Sequence, residues 1–574
     1  MDSAALERSL LSHGAAETWA PLFARLEARQ PIVLGVFGAS VAQNGGCLDQ
    51  PYKRCMRYDG VHRTFMRWGT PHVRPFKGFA VRLLEHINRT WPHRAHQINN
   101  SALDATPAQN ALPCLFSHLP TTLHVVVLEF GSMAFHLRLA AVEGAARMLL
   151  SLRPPPVLVF LSIHEWCQRL KGAPRALYVP GERLRGGFVY PDTPWARAEA
   201  ETRRVCEKYG QVCVSMHAAL DPLVRAGREG FSLADVVGDD CLHPTHGRHG
   251  AQYVAQVLAH AVDRAAERWR GAPRRAAPRA AELPPPLHAD NLNVGSRSAR
   301  CYGFVLAADY RNPYGQSSMY RALQPIAWES AACAAPGVWH LPAAAGGGGG
   351  NGKRRGGRRG HAARARAEGE RLWTRGAAGE TPCHAPAEMA TCPRGGFARS
   401  EAQLHRFLRH PPRTWFWCYY SLAVDPAHQK KSPGVVALVP GATLHARLDT
   451  RMRSLDGAGQ ASRGGVCLRL APLSQLPRAD AQDLTEVVEA SIEHLTSYEG
   501  MGRVAVHCVG GCSCAPQTID AHRVDAHRNV SVFLQHTFNI SGGSPTCGVQ
   551  LQVLNATSSG GYKFKVRTIT LTTR

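Results

Sequence analysis

The chain has no run of the roughly 18 apolar residues that a membrane-spanning helix needs. Its longest apolar runs, at 125–128 and 157–161, have the length of buried strands. It has no repeat with a period of about 20–50 residues, which argues against a solenoid. It carries no His-Glu-x-x-His, no Cys-x-x-Cys and no phosphate-binding loop, so neither a metal nor an organic cofactor is expected. Zinc-finger spacing, an RNP-like strand and a basic-zipper heptad are also missing. Acidic residues are scarce. In 574 residues, 43 Asp and Glu stand against 67 Lys and Arg, a formal charge of +24. The excess invites a polyanion partner. Much of it, however, sits in two stretches, 264–279 and 353–375. A nucleic-acid groove would instead interleave basic and aromatic residues on a folded face. Solvated basic linkers are expected, with no specific nucleic acid as partner.

What is present points elsewhere. Hydrophobic residues make up 44% of the chain, enough for real cores, which excludes wholesale disorder. Seventeen cysteines is a high and odd count, so they cannot all pair internally. Five Asn-x-Ser/Thr sequons accompany them, at Asn88, Asn99, Asn529, Asn539 and Asn555. Together with close cysteines such as Cys47/Cys55 and Cys508/Cys512/Cys514, they imply an oxidising, secretory or extracellular compartment. A Cys47–Cys55 disulfide is expected within one Gly/Pro-containing loop. Cys512 and Cys514 are expected in disulfides rather than on a metal. Residues 1–30 carry no basic segment followed by an apolar one, so they are not read as a signal peptide. The expectation is a chain whose start is incomplete; the alternative is an intracellular chain with chance sequons. Nothing in the sequence sets an oligomeric state.

Residues 4–28 place Leu10, Leu11, Trp19, Leu22, Phe23 and Leu26 at helical spacing, which predicts one amphipathic lead-in helix within 1–30. Strands are predicted at 31–37, 95–99, 124–130, 157–163 and 212–216. Helical patterns lie at 79–88, 140–152 and 195–209, and a long helix closes the region at 250–269. This alternation over 31–269 means a parallel sheet covered on both faces. Reactive residues in such sheets sit at the carboxyl ends of the strands. Residues 270–299, rich in Pro, Ala and Arg, read as a linker. From 300 to 574 the texture is short β-type segments between turns, which predicts an all-β sandwich. The stretch 343–377 opens AAAGGGGGNGKRRGGRRG and cannot bury a core, so a disordered insert is expected there.

The first strand ends in Gly38-Ala39-Ser40-Val41. A serine at that point, entered through a glycine, is well placed to be a nucleophile. Asp240-Cys241-Leu242-His243-Pro244 precedes the last helix. A serine needs a base, and the base needs an orienting carboxylate; three residues of spacing let one loop supply both. Asp239, His246 and His249 nearby are expected to carry no function. Glu129, at the end of the third strand, is expected to turn inward to an ion-pair partner rather than act as a second acid. The His164-Glu165-Trp166-Cys167 stretch either packs or lines the cleft.

These pieces together resemble the SGNH (GDSL-type) hydrolases over roughly residues 31–265. The likeness is carried by the strand–serine turn with Gly45, Gly46 and Cys47, by "LLEHINRTWP" at 83–92, by "INNSALDAT", "VVVLEF" and "DCLHP". In the β region it is carried by "SYEGMGRVAVHC" and "GYKFKV", similar to the plant and algal branch. The resemblance implies a flavodoxin-like three-layer α/β/α fold and carboxyl-ester hydrolysis. Carried over, Ser40 is the nucleophile, His243 the base and Asp240 the orienter. The chain departs from the family at three positions. Ala39 replaces the Asp of the first block, which lies outside the triad. Ala105 stands where a Gly normally lends its amide to the oxyanion hole. Met133 falls where an Asn side chain normally completes that hole, and methionine has no N–H to donate. The hole implied here is the amides of Ser40 and Ala105, helped by the Ser132 hydroxyl.

The aromatics Trp415, Phe416, Trp417, Tyr419 and Tyr420 alternate along one strand, where core filling is expected and a glycan-stacking platform is the alternative. Tyr498 and Glu499 are loop candidates. The expectation is a serine esterase for a small carboxylic ester, with O-acetyl groups on a glycan implied by the resemblance. It should be slow because of Met133. The alternative is a catalytically idle glycan-binding protein that keeps the fold.

Overall fold

The computed structural model describes residues 1–43, 78–103, 105–167, 176–183, 188–238, 240–245, 249–271, 283–292, 294, 299–303, 415–420, 422, 431–452, 487–524 and 531–573, with short strands at 57–58, 65–66, 324–325 and 327–330. The expected Cys47–Cys55 bond, the insert at 343–377, Asp239 and His246 lie outside the described residues.

The first domain is built on six strands: β1 (Leu10–His13), β2 (Val33–Gly38), β3 (Gln97–Asn100), β4 (Val125–Glu129), β5 (Val157–Ser162) and β6 (Val212–Ser215). Their order across the sheet is β1-β6-β5-β4-β2-β3. β2 to β6 are mutually parallel, and β1 closes one edge antiparallel to β6. β4 and β5 are buried at every position, as strands covered on both faces must be. The alternation within them feeds two cores. Val125, Val127, Val157 and Val159 pack with helices Ala16–Glu27, Phe79–Thr90 and Gly250–Gly271 on one face. Val126, Leu128, Leu158 and Phe160 pack with helices Leu139–Leu150 and Pro194–Tyr209 on the other. The domain is therefore three layers, α/β/α.

The lead-in differs from its expected single helix. It is a helix at Ser3–Ser9, then β1, then a helix at Ala16–Glu27. The apolar pair explains the difference. Leu10 packs with one core and Leu11 with the other, which is strand alternation rather than a helical stripe. Gly14, at φ +67°, then turns the chain into the second helix.

Residues 283–292, within the stretch read as a linker, lie against the first domain. Glu143 is fully buried and accepts from Leu287 N, His288 N, Asn291 Nδ2 and Tyr209 Oη. The second domain is two facing antiparallel sheets, save for one short parallel pair at its edge. One contains Phe416–Tyr420, Lys431–Ala437, Val487–Thr496, Val532–Ser541 and Phe564–Thr573; the other contains Thr443–Leu448, Arg503–Val509, Gln517–Asp520 and Cys547–Val553. Trp415 and Phe416 are buried core residues, as expected. Disulfides join Cys508 to Cys514 and Cys512 to Cys547 within it, and Cys114–Cys301 ties the two domains together. Cys206–Cys213 and Cys167–Cys241 lie in the first domain.

Candidate functional site

Ser40 follows β2 at the carboxyl edge of the sheet. Gly38 has to be glycine there, because a Cβ would come within 2.0 Å of Glu129 O. That close approach lets the Ala39 amide donate to the same carbonyl at 3.0 Å, so the turn is fastened to β4. The end of β3 and the loop after it fasten the turn from the other side. Asn100 Nδ2 donates to Ala42 O at 3.1 Å, and Gln43 Nε2 to Ala102 O at 2.9 Å.

The loop 240–245 brings His243 to Ser40. His243 Nε2 lies 2.7 Å from Ser40 Oγ, and His243 Nδ1 lies 2.5 Å from Asp240 Oδ2. A carboxylate at Nδ1 holds the proton there, leaving Nε2 free to accept from the serine hydroxyl. The other carboxylate oxygen of Asp240 accepts from the amides of Leu242 at 3.1 Å and His243 at 3.0 Å. Asp240 thus shapes the loop as well as orienting the ring. Ser40 and, 203 residues on, His243 with its neighbour Asp240 therefore form one hydrogen-bonded line. Ser40 is 7% exposed and His243 9%. His249 is apart from this line, its ring 5.6 Å from that of Tyr253.

Behind the loop, Cys241 is bonded to Cys167, and the Trp166 amide donates to Cys241 O at 2.9 Å. His164, Glu165, Trp166 and Cys167 are all buried. Trp166 and Cys167 hold the 240–245 loop, while the His164 ring lies against those of Tyr190, Trp195 and His217. Burial holds the His164 imidazole well below the usual range.

Glu129 faces inward, as expected, but its partners are not a cation. The carboxylate accepts from Ser132 N at 2.8 Å, Ser132 Oγ at 3.2 Å and Ala42 N at 3.1 Å. It is fully buried, and burial pushes its pKa up despite those three donors. One side chain so links the serine turn to the loop after β4. This corrects the expectation for Ser132. Both its amide and its hydroxyl are engaged by Glu129, so it has no donor left for an oxyanion.

Ala105 has φ +52°, the left-handed region that a non-glycine residue rarely adopts. Among the described residues, neither its amide nor that of Ser40 has an acceptor. Met133 is 6% exposed and packs with Ala39 and with Val532 of the β domain. An apolar side chain and a neighbouring domain thus occupy the flank where a side-chain donor was sought.

Neither a protein-family model nor a curated protein matches the chain. Among solved structures it is similar to a two-domain esterase, CEX, active on acetylated mannans and co-crystallized with mannopentaose, at 11% identity over 99% of this chain and 98% of that one, with a TM-score of 0.46. It is also similar to Axe2, an acetylxylan esterase from Geobacillus stearothermophilus, at 10% identity over 40% of this chain and 94% of that one, with a TM-score of 0.26.

Three things escaped the sequence reading: the Glu129 bracket, the Cys167–Cys241 brace and the β-domain strand beside Ala105. The first two left a signal. A lone carboxylate ending an otherwise apolar strand must find buried donors. A cysteine inside the Asp240–His243 loop and another ending "HEWC" were candidates to pair.

Proposed function

We propose that the chain is an SGNH-type serine esterase that hydrolyses a small carboxylic ester, with Ser40 as nucleophile. The observation that carries this reading is the Ser40–His243–Asp240 line, with bonds of 2.7 and 2.5 Å. As Ser40 Oγ attacks the ester carbonyl carbon, its proton passes to His243 Nε2. The carbonyl oxygen takes up the electron pair and becomes the oxyanion, bonded by the Ser40 and Ala105 amides. Asp240 stabilises the imidazolium that forms. Collapse of the intermediate breaks the bond to the alcohol, which leaves with the proton from Nε2. Water, deprotonated by the same nitrogen, then attacks the acyl-serine carbonyl; collapse of that intermediate releases the carboxylic acid, and Ser40 Oγ takes its proton back from Nε2.

Two donors remain where the family has a third side chain, and losing one such donor typically lowers kcat about 10²–10³-fold. A slow enzyme is the consequence. The same feature favours a second reading, an idle glycan-binding protein. The acyl group that fits the sequence resemblance is acetyl, carried on a glycan. The disulfides, with exposed sequons at Asn539 and Asn555, support a secretory compartment.

The test is acetate release from p-nitrophenyl acetate and from acetylated mannan by the wild-type chain and by Ser40→Ala. Turnover lost in Ser40→Ala supports the esterase. Folded wild type that matches buffer on both substrates, yet binds the mannan, supports the idle reading.

A further inference from the structure

Ala105 needs something to hold it. A left-handed alanine is disfavoured by its own Cβ, and it persists only where its surroundings over-determine it. Here the surroundings come from both domains: Ala105 packs with Ala39 and Met133 of its own domain and with Val532 of the other, which also supplies a hydrogen bond. Phe533 N, near the start of strand Val532–Ser541, donates to Ala105 O at 3.1 Å. The carbonyl of Phe533 accepts from Asn110 Nδ2 at 2.7 Å, so this one residue brackets the 105–110 loop at both ends. Gln535 Nε2 adds a bond to Asn110 O at 3.1 Å.

Behind Phe533 lies a buried ion pair. Arg567 Nε donates to Glu493 Oε2 at 2.8 Å, and Arg567 Nη2 donates both to Glu493 Oε1 and to Thr106 Oγ1, the latter at 2.9 Å. The guanidinium carbon stands 3.9 Å from the centre of the Phe533 ring. Glu493 also accepts from Asn110 Nδ2 at 3.3 Å and Thr568 Oγ1 at 2.9 Å. Glu493 is 4% exposed, Arg567 3% and Thr106 1%. A buried pair of this kind adds little net stability over apolar residues of the same shape. What it supplies is a fixed direction, and among the described residues its bonds across the interface reach Thr106 and Asn110, close to the strained residue.

We propose that the β domain is a working part of the catalytic centre: Phe533, backed by Glu493 and Arg567, clamps Ala105 in the left-handed conformation that turns its amide toward the oxyanion. This rests on the esterase reading above. Asn110, Glu493 and Arg567 are positioning residues, since none of them touches the reacting atoms. The clamp also accounts for an alanine at this position. A glycine would hold the conformation without help, whereas an alanine holds it only while the other domain is docked.

The experiment is a double-mutant cycle in the full chain. Asn110→Ala removes the bond to Phe533 O; Thr106→Val removes the Arg567 acceptor with almost no change of shape. Each is combined with Ala105→Gly. The expected result is a fall in kcat of about tenfold for Asn110→Ala, less for Thr106→Val, with KM nearly constant. Ala105→Gly should then raise kcat in the Asn110→Ala background by a larger factor than it does in wild type. Equal factors in both backgrounds would overturn the clamp, as would losses of kcat that simply follow losses of thermal stability. A second readout does not need turnover. With ¹³C-methyl alanine labelling, the Ala105 resonance, assigned by its loss in Ala105→Gly, should shift in Asn110→Ala and in Thr106→Val. An unmoved resonance overturns the clamp even in an inactive protein. Absence of hydrolysis in wild type with a moved resonance overturns the esterase reading and leaves the contact between the domains intact.

Discussion

Replacing Glu129 with Gln is the most informative small change outside the triad. The carboxylate has three donors around it and no donor of its own. Oε1 takes the Ser132 amide, and Oε2 takes the Ala42 amide and the Ser132 hydroxyl. A glutamine keeps the shape but turns one oxygen into an NH₂ group. With the oxygen at Oε1, the NH₂ faces the Ala42 N–H, donor against donor. With the amide flipped, the NH₂ faces the Ser132 N–H instead. The hydroxyl can rotate to accept, but an amide N–H cannot. One backbone donor is therefore left unsatisfied in a fully buried place, at about 1–3 kcal/mol. A loss of about 2 kcal/mol of unfolding free energy is expected, read from urea melts of the chain with its disulfides intact. The effect on rate follows from which donor is lost. The Ala42 amide lies two residues after Ser40, and a nucleophile displaced by about 1 Å can lose roughly 10² in rate. kcat on p-nitrophenyl acetate should fall about 10- to 100-fold, with KM little changed. A Glu129→Gln chain within 0.5 kcal/mol of wild type and with the same kcat, where ~0.5 kcal/mol is the ordinary spread of harmless surface changes, would refute the bracket.

Met133→Asn should raise kcat by up to about 10², less than a native donor is worth because the flank is packed by Ala39 and Val532; it should also lower stability by about 1–3 kcal/mol if the amide finds no partner, and no gain in kcat would show that this flank lies off the oxyanion. Removing Cys167–Cys241 as Cys167→Ala/Cys241→Ala opens a separation of 74 residues, worth about 4 kcal/mol in the loop-entropy account, and frees the loop that carries Asp240 and His243. Both stability and kcat should fall, and unchanged kcat would show that the brace is not needed by the triad. The third concerns pH. Burial lowers the His494 pKa to about 4 from 6.5. A histidine with a depressed folded-state pKa contributes stability that is present above the unfolded value and lost as pH falls toward the folded one. The unfolding free energy from urea melts should therefore drop between pH 6.5 and pH 4, by about 3 kcal/mol from this residue, and His494→Phe, at a ring that stacks on Phe564, should flatten the drop; equal slopes would contradict it.

The α/β domain was legible because its central strands β2, β4 and β5 are largely apolar runs and its helices have clear stripes. Strands β2 to β6 and the helices Phe79–Thr90, Leu139–Leu150, Pro194–Tyr209 and Gly250–Gly271 fall within a few residues of their expected positions, whereas the short helices Ala108–Ala111 and Leu115–His118 had no expected counterpart. The lead-in was misread because two consecutive leucines fit a helix stripe and a two-sided edge strand equally, and only the free edge of β6 decides between them. Ser40, Asp240 and His243 were legible because each lies at a punctuated place, a glycine turn or a short loop before a helix. Ser132 was not, since its hydroxyl is set by a carboxylate three residues away whose direction no spacing reveals. The clamp on Ala105 was out of reach altogether. It joins residues 105–110 to 493, 533 and 567, a contact that exists only once both domains have folded and docked.

The measurement that bears most directly on the account is covalent labelling of the folded chain by a fluorophosphonate, followed by mass spectrometry of the digested protein. The nucleophile is activated only if His243 accepts the serine proton across the 2.7 Å contact. The account predicts one adduct, on Ser40, absent in Ser40→Ala and formed at least about 10²-fold more slowly in His243→Ala. A chain with no adduct on Ser40, or one that labels as fast without His243 as with it, would contradict the account.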